Sequence, residues 1–287
     1  MSGRRKVTIG TLRARKREGQ RITMLTCYDF ATARLLEEAE IDSLLVGDTY
    51  GEVCLGYTTT LPVTMDQLVT VAAAVRRGAP TAYLVGDMPY LSYQVNAESA
   101  IRNAGRFMSE AGCDCVKVEV DRRHAGTVEA MAAASIPVMA HLGLKPQSIH
   151  SVGGYKVQGR SARDAQHIVE DAKIMESSGA TALLLEAVAK EVAGLICART
   201  DLPVIGCVSG PTCDGQVVVL HDILGYGGGH PPGSVKVYAQ LQKELVTAFR
   251  SYARDVRDGA FPIADKSASM DAHAWDELVR GLGDTPG

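Results

Sequence analysis

A chain of 287 residues, of which 46% are hydrophobic and 22% charged, has the composition of a globular protein and the length of a single barrel domain. Its formal net charge of −3 gives no bulk attraction for nucleic acid, and no run approaches the roughly 18 apolar residues that a membrane span needs. Seven cysteines without a C-x-x-C pair indicate reduced thiols in a cytoplasmic protein.

Arginine and lysine are concentrated at the start of the chain, up to Arg21. No apolar segment follows them, as a secretory signal would require. The stretch contains no aromatic residue, so a nucleic-acid or membrane patch is less consistent with it than a solvated face or a subunit edge. We therefore expect this basic segment to be exposed or to lie between subunits.

Strand-like and helix-like segments alternate along the rest of the chain. Strands are predicted at residues 21–27, 43–47, 82–86, 115–119, 136–140, 181–186, 202–207 and 216–220. Helices are predicted at residues 30–39, 65–77, 97–111, 127–134, 162–178, 190–199 and 234–258. Thr64 is a predicted N-cap, and Gly179 is a predicted C-cap. The tail after residue 262 is polar, and we expect it to be loose.

The strand-like runs lack the polar alternation of half-exposed strands, which is typical of a parallel sheet buried on both faces. Seven or eight βα units follow one another without a linker. We therefore predict an α/β fold, a (β/α)8 TIM barrel, as one domain over residues 1–287 with an N-terminal segment and a C-terminal helix at residues 234–258. The apolar stripe on that helix predicts packing on the barrel or on a neighbouring subunit.

Five of the apolar runs end in side chains that can do chemistry. These side chains are Asp48, Asp87, Lys117 with Glu119, His141 and Glu186. The carboxyl ends of barrel strands converge on one mouth, where the active site of such enzymes lies. We therefore expect these side chains to form a single site.

Asp48 and Asp87 each follow a V-G pair at the end of successive strands. Two carboxylates that face each other repel unless a cation or a proton lies between them. A hard divalent ion satisfies them, with water and substrate oxygens completing an octahedron, which favours Mg²⁺ over zinc. The alternative is that each aspartate caps a helix or binds a loop amide. The repeat, with Glu119 nearby, favours the metal site.

Lys117 and Glu119 alternate with valines, so both are predicted to face the barrel interior, where a charge is costly unless paired. Lys117 would offer a positive charge to a carboxylate or an enolate, and the alternative is a structural pair with Glu119. His141 would donate a hydrogen bond to an anionic substrate or be structural. Glu186 ends an apolar strand and suits general-base work, or it caps the following helix.

The combination of these groups is more informative than any one of them. A divalent metal, a cation and a carboxylate base in one pocket fit the enolisation of a 2-oxo acid, whose oxygens chelate the metal while an α-proton leaves. The residues therefore favour an enzyme that acts on a small 2-oxo acid.

At these residues the chain resembles the 3-methyl-2-oxobutanoate (ketopantoate) hydroxymethyltransferase family, whose barrel belongs to the phosphoenolpyruvate mutase/isocitrate lyase-like superfamily. The matching blocks are T-C-Y-D (26–29), L-L-V-G-D-T (44–49), L-P-V-T (61–64), V-R-R-G-A-P (75–80), D-M-P-Y (87–90), V-K-V-E (116–119), P-V-M-A-H-L-G-L-K-P-Q-S (137–148), G-G-Y-K-V-Q-G-R (153–160), L-L-L-E (183–186) and D-G-Q-V (214–217). They run in order through nearly the whole chain. The H-L-G-L-x-P-Q and G-G-Y-K-V-Q-G-R blocks are highly specific.

The resemblance implies transfer of a hydroxymethyl group from 5,10-methylenetetrahydrofolate to 3-methyl-2-oxobutanoate, which gives 2-dehydropantoate for pantothenate synthesis. It implies that Asp48 and Asp87 ligate Mg²⁺ and so bind the substrate through it, with Glu119 close to the metal. The partners implied are the 2-oxo acid, the folate and further copies of the chain in a homodecamer. Neither nucleic acid nor a membrane is expected.

The resemblance also implies roles for the remaining site residues. Thr49, where the family commonly has Ser, would hydrogen-bond the oxo acid. Lys117 and His141 would hold the carboxylate or the enolate of the substrate. Glu186 would move protons as the hydroxymethyl group arrives.

Several positions near the site depart from the family pattern. Residues 206–210 read G-C-V-S-G in place of G-x-G-A-G, and residues 120–121 read V-D in place of the usual Gly-Gly. Ala189 stands where Pro is usual, Glu52 stands where an apolar residue is usual, and residues 265–267 replace an E-H-S-F-like ending. Because the catalytic groups are kept while the pocket walls change, a paralogue that hydroxymethylates a different 2-oxo acid in secondary metabolism remains the alternative.

Two other classes of function fit the sequence less well. A lyase or mutase is disfavoured because the K-K-C-G-H-like catalytic loop of that branch is absent from the sequence. A non-enzymatic scaffold is weaker still, since no catalytic position is lost.

Overall fold

Eight parallel strands form a closed barrel, in which each strand pairs with the next and the last pairs with the first. The computed structural model describes residues 4–152, 154, 156–227, 232–263 and 266–283, so Gly153, Tyr155 and Asp265 of the motifs above lie outside the described residues. The strands are β1 (Ile22–Thr26), β2 (Ser43–Val46), β3 (Tyr83–Asp87), β4 (Cys115–Glu119), β5 (Val138–Gly143), β6 (Ala182–Glu186), β7 (Val204–Cys207) and β8 (Gly215–Val218). The predicted (β/α)8 barrel is confirmed.

Helices connect the strands and extend beyond the last one. They are α1 (Ile9–Arg17), α2 (Phe30–Glu38), α3 (Tyr50–Val53), α4 (Met65–Gly78), α5 (Ala97–Ser109), α6 (Ala125–Ala133), α7 (Ile149–Val152), α8 (Ala162–Ser177), α9 (Lys190–Cys197), α10 (Leu220–Leu224), α11 (Leu241–Arg257) and α12 (Ala272–Gly281). Thr64 caps α4 in a capping box with Gln67, and Gly179 follows α8 with φ 93°, as predicted for both ends. No helix in the described part of the chain is long and apolar enough to cross a membrane.

Alternate residues of each strand face the barrel interior. The interior apolar cluster includes Met24, Leu45, Val85, Cys115, Met139, Leu184 and Ile205. Residues of the other parity pack with the helices in a second, larger cluster. Lys117 and Glu119 share the parity of Cys115, so both face inward at the carboxyl end of β4, as predicted. The barrel is therefore filled by apolar side chains below its charged mouth.

Helix α1 docks against the amino ends of the strands. Its Leu12 is 1% exposed and belongs to the interior cluster. Arg15 pairs with Asp42 at 2.7 Å, and Lys16 pairs with Asp214 at 2.8 Å; each aspartate precedes a strand. The expectation of a solvated face or subunit edge is therefore wrong for these two basic residues. Their acidic partners lie far along the chain, which is why the local pattern did not reveal them.

The chain divides into two compact units, Met1–Tyr238 and Ala239–Gly287. The first unit contains the barrel, and the second contains α11 and α12. Helix α11 begins at Leu241 and not at residue 234 as predicted, because the preceding segment bonds elsewhere: Tyr238 N donates to Ile223 O. The single domain over residues 1–287 stays a prediction.

Helix α12 lies in the tail that was expected to be loose. The side chain of Asp271 accepts hydrogen bonds from the backbone nitrogens of His273 and Ala274, which fixes the start of the helix. Part of the tail is therefore helical, and the expectation is wrong for this segment.

The Leu12→Ala substitution tests the docking of α1. We expect the free energy of unfolding to fall by about 2–5 kcal/mol, because the change leaves a cavity at a fully buried position. Urea denaturation followed by circular dichroism measures the loss. The control on the same helix is Arg17→Ala, which truncates an exposed side chain and should change stability by less than about 0.5 kcal/mol. Equal stability of the two variants would contradict the docked helix.

Candidate active site

The predicted strand-end side chains meet at the carboxyl end of the barrel. Asp87 Oδ1 lies 2.7 Å from Lys117 Nζ, which in turn lies 3.3 Å from His141 Nδ1. On the far side of the ring, His141 Nε2 lies 3.3 Å from Glu186 Oε2. These residues belong to β3, β4, β5 and β6, and the register of neighbouring strands brings them together. They form a continuous line of ionisable groups across the mouth.

Asp48 and Asp87 lie side by side with almost no exposure to solvent. Their exposed fractions are 4% and 1%, and the backbone nitrogen of Asp48 donates to Asp87 Oδ2 at 3.2 Å. Burial raises the pKa of Asp87 to about 7, opposed by the attraction of Lys117 and reinforced by the charge of Asp48. The pair is therefore costly to keep ionised without a further positive charge.

Lys117 faces several carboxyl groups at once. Burial alone would lower the pKa of its ammonium group, but the charges of Asp87, Asp48 and Glu119 raise that pKa above its ordinary value. Burial raises the pKa of Glu119 well above its ordinary value, against the attraction of Lys117. One ammonium group cannot neutralise three carboxylates, so a proton or a further cation must balance the negative charge.

The donor set fits a hard divalent cation. Asp48 and Asp87 offer carboxylate oxygens, and Mg²⁺ in proteins usually binds one or two carboxylates while it keeps several waters. Among the residues described, no group of three or more His, Cys, Asp and Glu side chains is arranged to hold a metal ion. A magnesium ion here would therefore rely on two carboxylates, and water or substrate oxygens would complete its coordination.

Gln147 links the acidic groups of the site, and sequence reasoning did not single it out. Its Nε2 donates to Asp48 Oδ2 at 2.9 Å and to Met88 O at 3.0 Å, while its backbone nitrogen donates to Glu119 Oε2 at 3.0 Å. Its Oε1 lies 3.0 Å from Tyr93 Oη. This buried amide orients two carboxylates at once. The specific H-L-G-L-x-P-Q block was the available signal, but the partners of Gln147 lie in other βα units.

His141 is neutral in this setting. Burial lowers its pKa, and the positive charge of Lys117 adds to the effect. A neutral imidazole has one donor and one acceptor nitrogen, and an ammonium group can only donate. His141 Nδ1 therefore accepts from Lys117, and Nε2 carries the proton. Nε2 lies 3.3 Å from Glu186 Oε2 without the geometry of a hydrogen bond. Strand β5 extends to Gly143, so His141 lies within the strand and not after it.

Glu186 and Thr49 form the more open part of the site. The side chain of Glu186 is 21% exposed, whereas that of His141 is 2% exposed. Thr49 is partly buried and lies at the N-cap of α3 without a side-chain capping bond. A carboxylate that faces both the pocket and solvent can pass a proton between a substrate and water, so Glu186 suits the base role predicted for it.

The altered loop after β7 contains a strained residue. Val208 has φ 55°, in the left-handed region that a β-branched side chain rarely adopts, and it stands where the family pattern has Gly. Ser209 Oγ donates to Leu185 O at 2.7 Å and accepts from Val188 N at 3.0 Å. These bonds tie the loop to the residues that flank Glu186. The side chain of Val208 is 40% exposed, so the valine itself does not lie within the buried mouth.

Comparison with known sequences gives a consistent result. A family model described as ketopantoate hydroxymethyltransferase matches residues 6–264. The 3-methyl-2-oxobutanoate hydroxymethyltransferase of Koribacter versatilis is 43% identical over 279 residues, which cover 96% of this chain and 95% of that protein. The protein of the same name from Syntrophus aciditrophicus is 47% identical over 263 residues, which cover 92% of this chain and 97% of that protein.

Solved structures share the fold at low sequence identity. A phosphonopyruvate hydrolase has a TM-score of 0.59 at 15% identity and covers 96% of each chain. A 2,3-dimethylmalate lyase, described as a PEP mutase/isocitrate lyase superfamily member, has a TM-score of 0.58 at 15% identity and covers 96% of this chain and 98% of that one. This likeness concerns the fold alone, and it agrees with the barrel that the sequence predicted.

The Gln147→Leu substitution tests the orienting role of the amide. We expect the affinity for Mg²⁺ to fall about 10–100-fold, because Asp48 loses the donor that holds its side chain in place. Isothermal titration calorimetry with magnesium chloride measures this loss. Gln166→Leu, at an exposed position of α8, is the control and should bind as the parent does. If both variants bound Mg²⁺ equally well, the orienting role would be wrong.

The Val208→Gly substitution tests the strain in the altered loop. We expect the free energy of unfolding to rise by about 1 kcal/mol, because glycine adopts the left-handed conformation without a steric penalty. Thermal unfolding measures the change. Val95→Gly, in an exposed loop where φ is not positive, should instead lower stability slightly through the entropy of the unfolded chain. A Val208→Gly variant destabilised as much as this control would contradict the strain.

Proposed function

The chain belongs to the ketopantoate hydroxymethyltransferase family, and on this basis we propose that it transfers a hydroxymethyl group from 5,10-methylenetetrahydrofolate to 3-methyl-2-oxobutanoate, which gives 2-dehydropantoate for pantothenate synthesis. The observation that carries the proposal is the line of groups from Asp87 through Lys117 and His141 to Glu186. It brings two carboxylates, an ammonium group and an imidazole together in one pocket. This set of groups fits the enolisation of a 2-oxo acid, with one carboxylate on a divalent cation and the other as the base.

Asp48 and Asp87 would hold Mg²⁺, with Glu119 as a third carboxylate beside them. The bound ion would supply a Lewis acid that polarises the 2-oxo group of the substrate. The burial and mutual contact of the two aspartates, together with the excess of negative charge, support this assignment. Direct contact between Glu119 and the ion stays a prediction, since Glu119 Oε2 already accepts a hydrogen bond from the backbone of Gln147.

Lys117 and His141 would hold the anionic oxygens of the substrate. The ammonium group of Lys117 is a buried point charge that can stabilise a carboxylate or the negative charge that develops on an enolate. Lys117 lies between Asp87 and His141, so a substrate oxygen bound beside it would accept a hydrogen bond from the same ammonium group. The hydroxyl of Thr49, at the open side of the mouth, would donate a hydrogen bond to the 2-oxo acid.

Glu186 would remove the proton from C3 of the 2-oxo acid. His141 Nε2 lies 3.3 Å from its carboxylate and, once the two groups align, would donate a hydrogen bond that holds the carboxylate in place for the transfer. C3 would then form its new bond to the one-carbon unit of the folate. Both bonds from that carbon to the folate nitrogens N5 and N10 would break, water would supply the hydroxyl oxygen, and the two nitrogens would take up the proton from C3 and the remaining proton of the water. Because Glu186 is partly exposed, it can release its proton to water or return it as the hydroxymethyl group forms.

A second candidate function keeps the chemistry and changes the 2-oxo acid. Burial raises the pKa of Glu52, and the charges of Asp48 and Glu186 add to the effect, so an acidic group absent from the usual family pattern lies within reach of the charges of the site. This additional acidic group favours a 2-oxo acid with a hydrogen-bonding substituent as the alternative substrate.

The proposed assembly and location also follow from the family. We propose a homodecamer in the cytoplasm. Helix α11 exposes aromatic side chains, with Phe249 63% and Tyr252 59% exposed, which a neighbouring subunit would cover. The cysteines are free, as a reducing compartment would keep them.

Isotope exchange at C3 of 3-methyl-2-oxobutanoate tests the proposed function. With Mg²⁺ in heavy water and no folate, we expect the protein to exchange this proton, as followed by nuclear magnetic resonance. Glu186→Gln should lose about 10²–10⁴-fold of the rate, because it removes the base. Glu191→Gln, at an exposed position of α9, should exchange at the parent rate.

Exchange by Glu186→Gln at the parent rate would contradict the assignment of Glu186 as the base. A panel of 2-oxo acids with Mg²⁺ and 5,10-methylenetetrahydrofolate then separates the two candidate substrates. A clear preference for 3-methyl-2-oxobutanoate would reject the second candidate.

A further inference from the structure

A cavity of about 270 Å³ opens beside the catalytic centre, between the loops that follow β3, β4 and β5. Glu119 and Gln147 line its inner side and belong to the catalytic centre as well. Tyr90, Arg123 and Lys145 line its outer side. The cavity is therefore a continuation of the active site towards solvent.

The size of the cavity restricts what it can hold. Pockets that enclose a whole drug-sized ligand have volumes of roughly 300–1,000 Å³. A cavity slightly below this range accommodates part of such a molecule while the rest lies in the catalytic centre or in solvent. It therefore suits a substrate that extends from the reacting carbon outwards.

The outer side of the cavity carries two cations that share one anion. Lys145 Nζ donates to Asp121 Oδ2 at 2.7 Å, and the guanidinium of Arg123 binds the same carboxylate through Nε at 3.0 Å and Nη2 at 2.7 Å. Burial would raise the pKa of Asp121, but hydrogen bonds from His124, Arg123 and Lys145 hold it well below its usual range. Asp121 is therefore charged, and it positions both cations while it neutralises one of them.

The remaining positive charge is accessible from the cavity. Within the described part of the chain, the hydrogen bonds of Arg123 side-chain nitrogens are made to Asp121 through Nε and Nη2, and its side chain is 78% exposed. The side chain of Lys145 is 17% exposed, so it lies deeper, and Asp121 accepts one of its three protons. Tyr90, 43% exposed, adds an aromatic face beside them.

We infer that this cavity binds the tail of the folate co-substrate, with its aminobenzoyl ring against Tyr90 and its glutamate carboxylates on Arg123 and Lys145. The inference rests on the proposed function and assigns a place to one of its two substrates. A tail held here leaves the one-carbon unit at the inner side of the cavity, beside the catalytic centre. A simple anion or the small 2-oxo acid would bind the cations but would make no stacking contact with the ring of Tyr90.

The test compares Arg123→Gln and Lys145→Gln with Lys173→Gln, which removes a cation from α8, outside the cavity. We expect the KM for 5,10-methylenetetrahydrofolate to rise on the order of tenfold in the first two variants, because each loses a charge-assisted bond to the tail. The KM for the 2-oxo acid should stay within about twofold. Free 4-aminobenzoyl-L-glutamate should inhibit the parent competitively with folate and inhibit both variants about tenfold less well.

The outcomes separate this inference from the proposed function on which it rests. An unchanged KM for folate in both variants would overturn the tail site, and so would a rise confined to the KM for the 2-oxo acid. C3 exchange without folate is measured on every variant, and loss of exchange in the variants would indicate a damaged centre and contradict a separate tail site. If the parent itself showed no exchange, the proposed function would have failed and the inference with it.

Discussion

The carboxyl end of this barrel is governed by a buried excess of negative charge. Asp48, Asp87 and Glu119 face the ammonium group of Lys117 where solvent is almost absent. Uncompensated charge in such a setting is expensive, and the raised pKa of Asp87, about 7, reflects that cost. Backbone and amide donors, above all Gln147, satisfy individual oxygens without adding a net charge. Binding of a cation at this site would therefore relieve the repulsion between the buried carboxylates.

The two ends of the barrel differ in how the charges of their acidic residues are balanced. At the amino end, Asp42 and Asp214 are matched by Arg15 and Lys16 of the chain's own first helix, and the end is closed. At the carboxyl end, the acids outnumber the bases, and the mouth is open to ligands. This division agrees with the general behaviour of such barrels, in which one face stabilises the fold and the other carries the chemistry.

Charge also distinguishes the rim of the barrel from the catalytic centre. At the rim, Asp121 holds Arg123 and Lys145 in place and leaves a surplus of positive charge beside the acidic centre. An acidic centre next to a cavity with surplus positive charge would suit two substrates with different charged groups. The altered loop with Val208 follows β7. Through Ser209 it contacts the segment that carries Glu186, and it does not contribute to the rim.

Sequence reasoning recovered the features that depend on local pattern. Short apolar runs without polar alternation predicted the barrel strands, and alternation with valine placed Lys117 and Glu119 on the inner side of β4. Features that depend on contacts between distant segments were missed. The docking of α1 needs aspartates from other βα units, and Gln147 reaches Asp48 across the mouth. The positive φ of Val208 could not be predicted either, since a β-branched residue rarely adopts that conformation.

A crystal soaked in Mn²⁺ would test the central claim most directly, because manganese shares the oxygen ligands of magnesium and scatters anomalously. The account predicts an anomalous peak in each chain within coordinating distance of the carboxylates of Asp48 and Asp87, and its loss in Asp87→Asn. A peak elsewhere at the mouth, or an unchanged peak in the variant, would contradict the claim that this buried pair is built to bind a divalent cation.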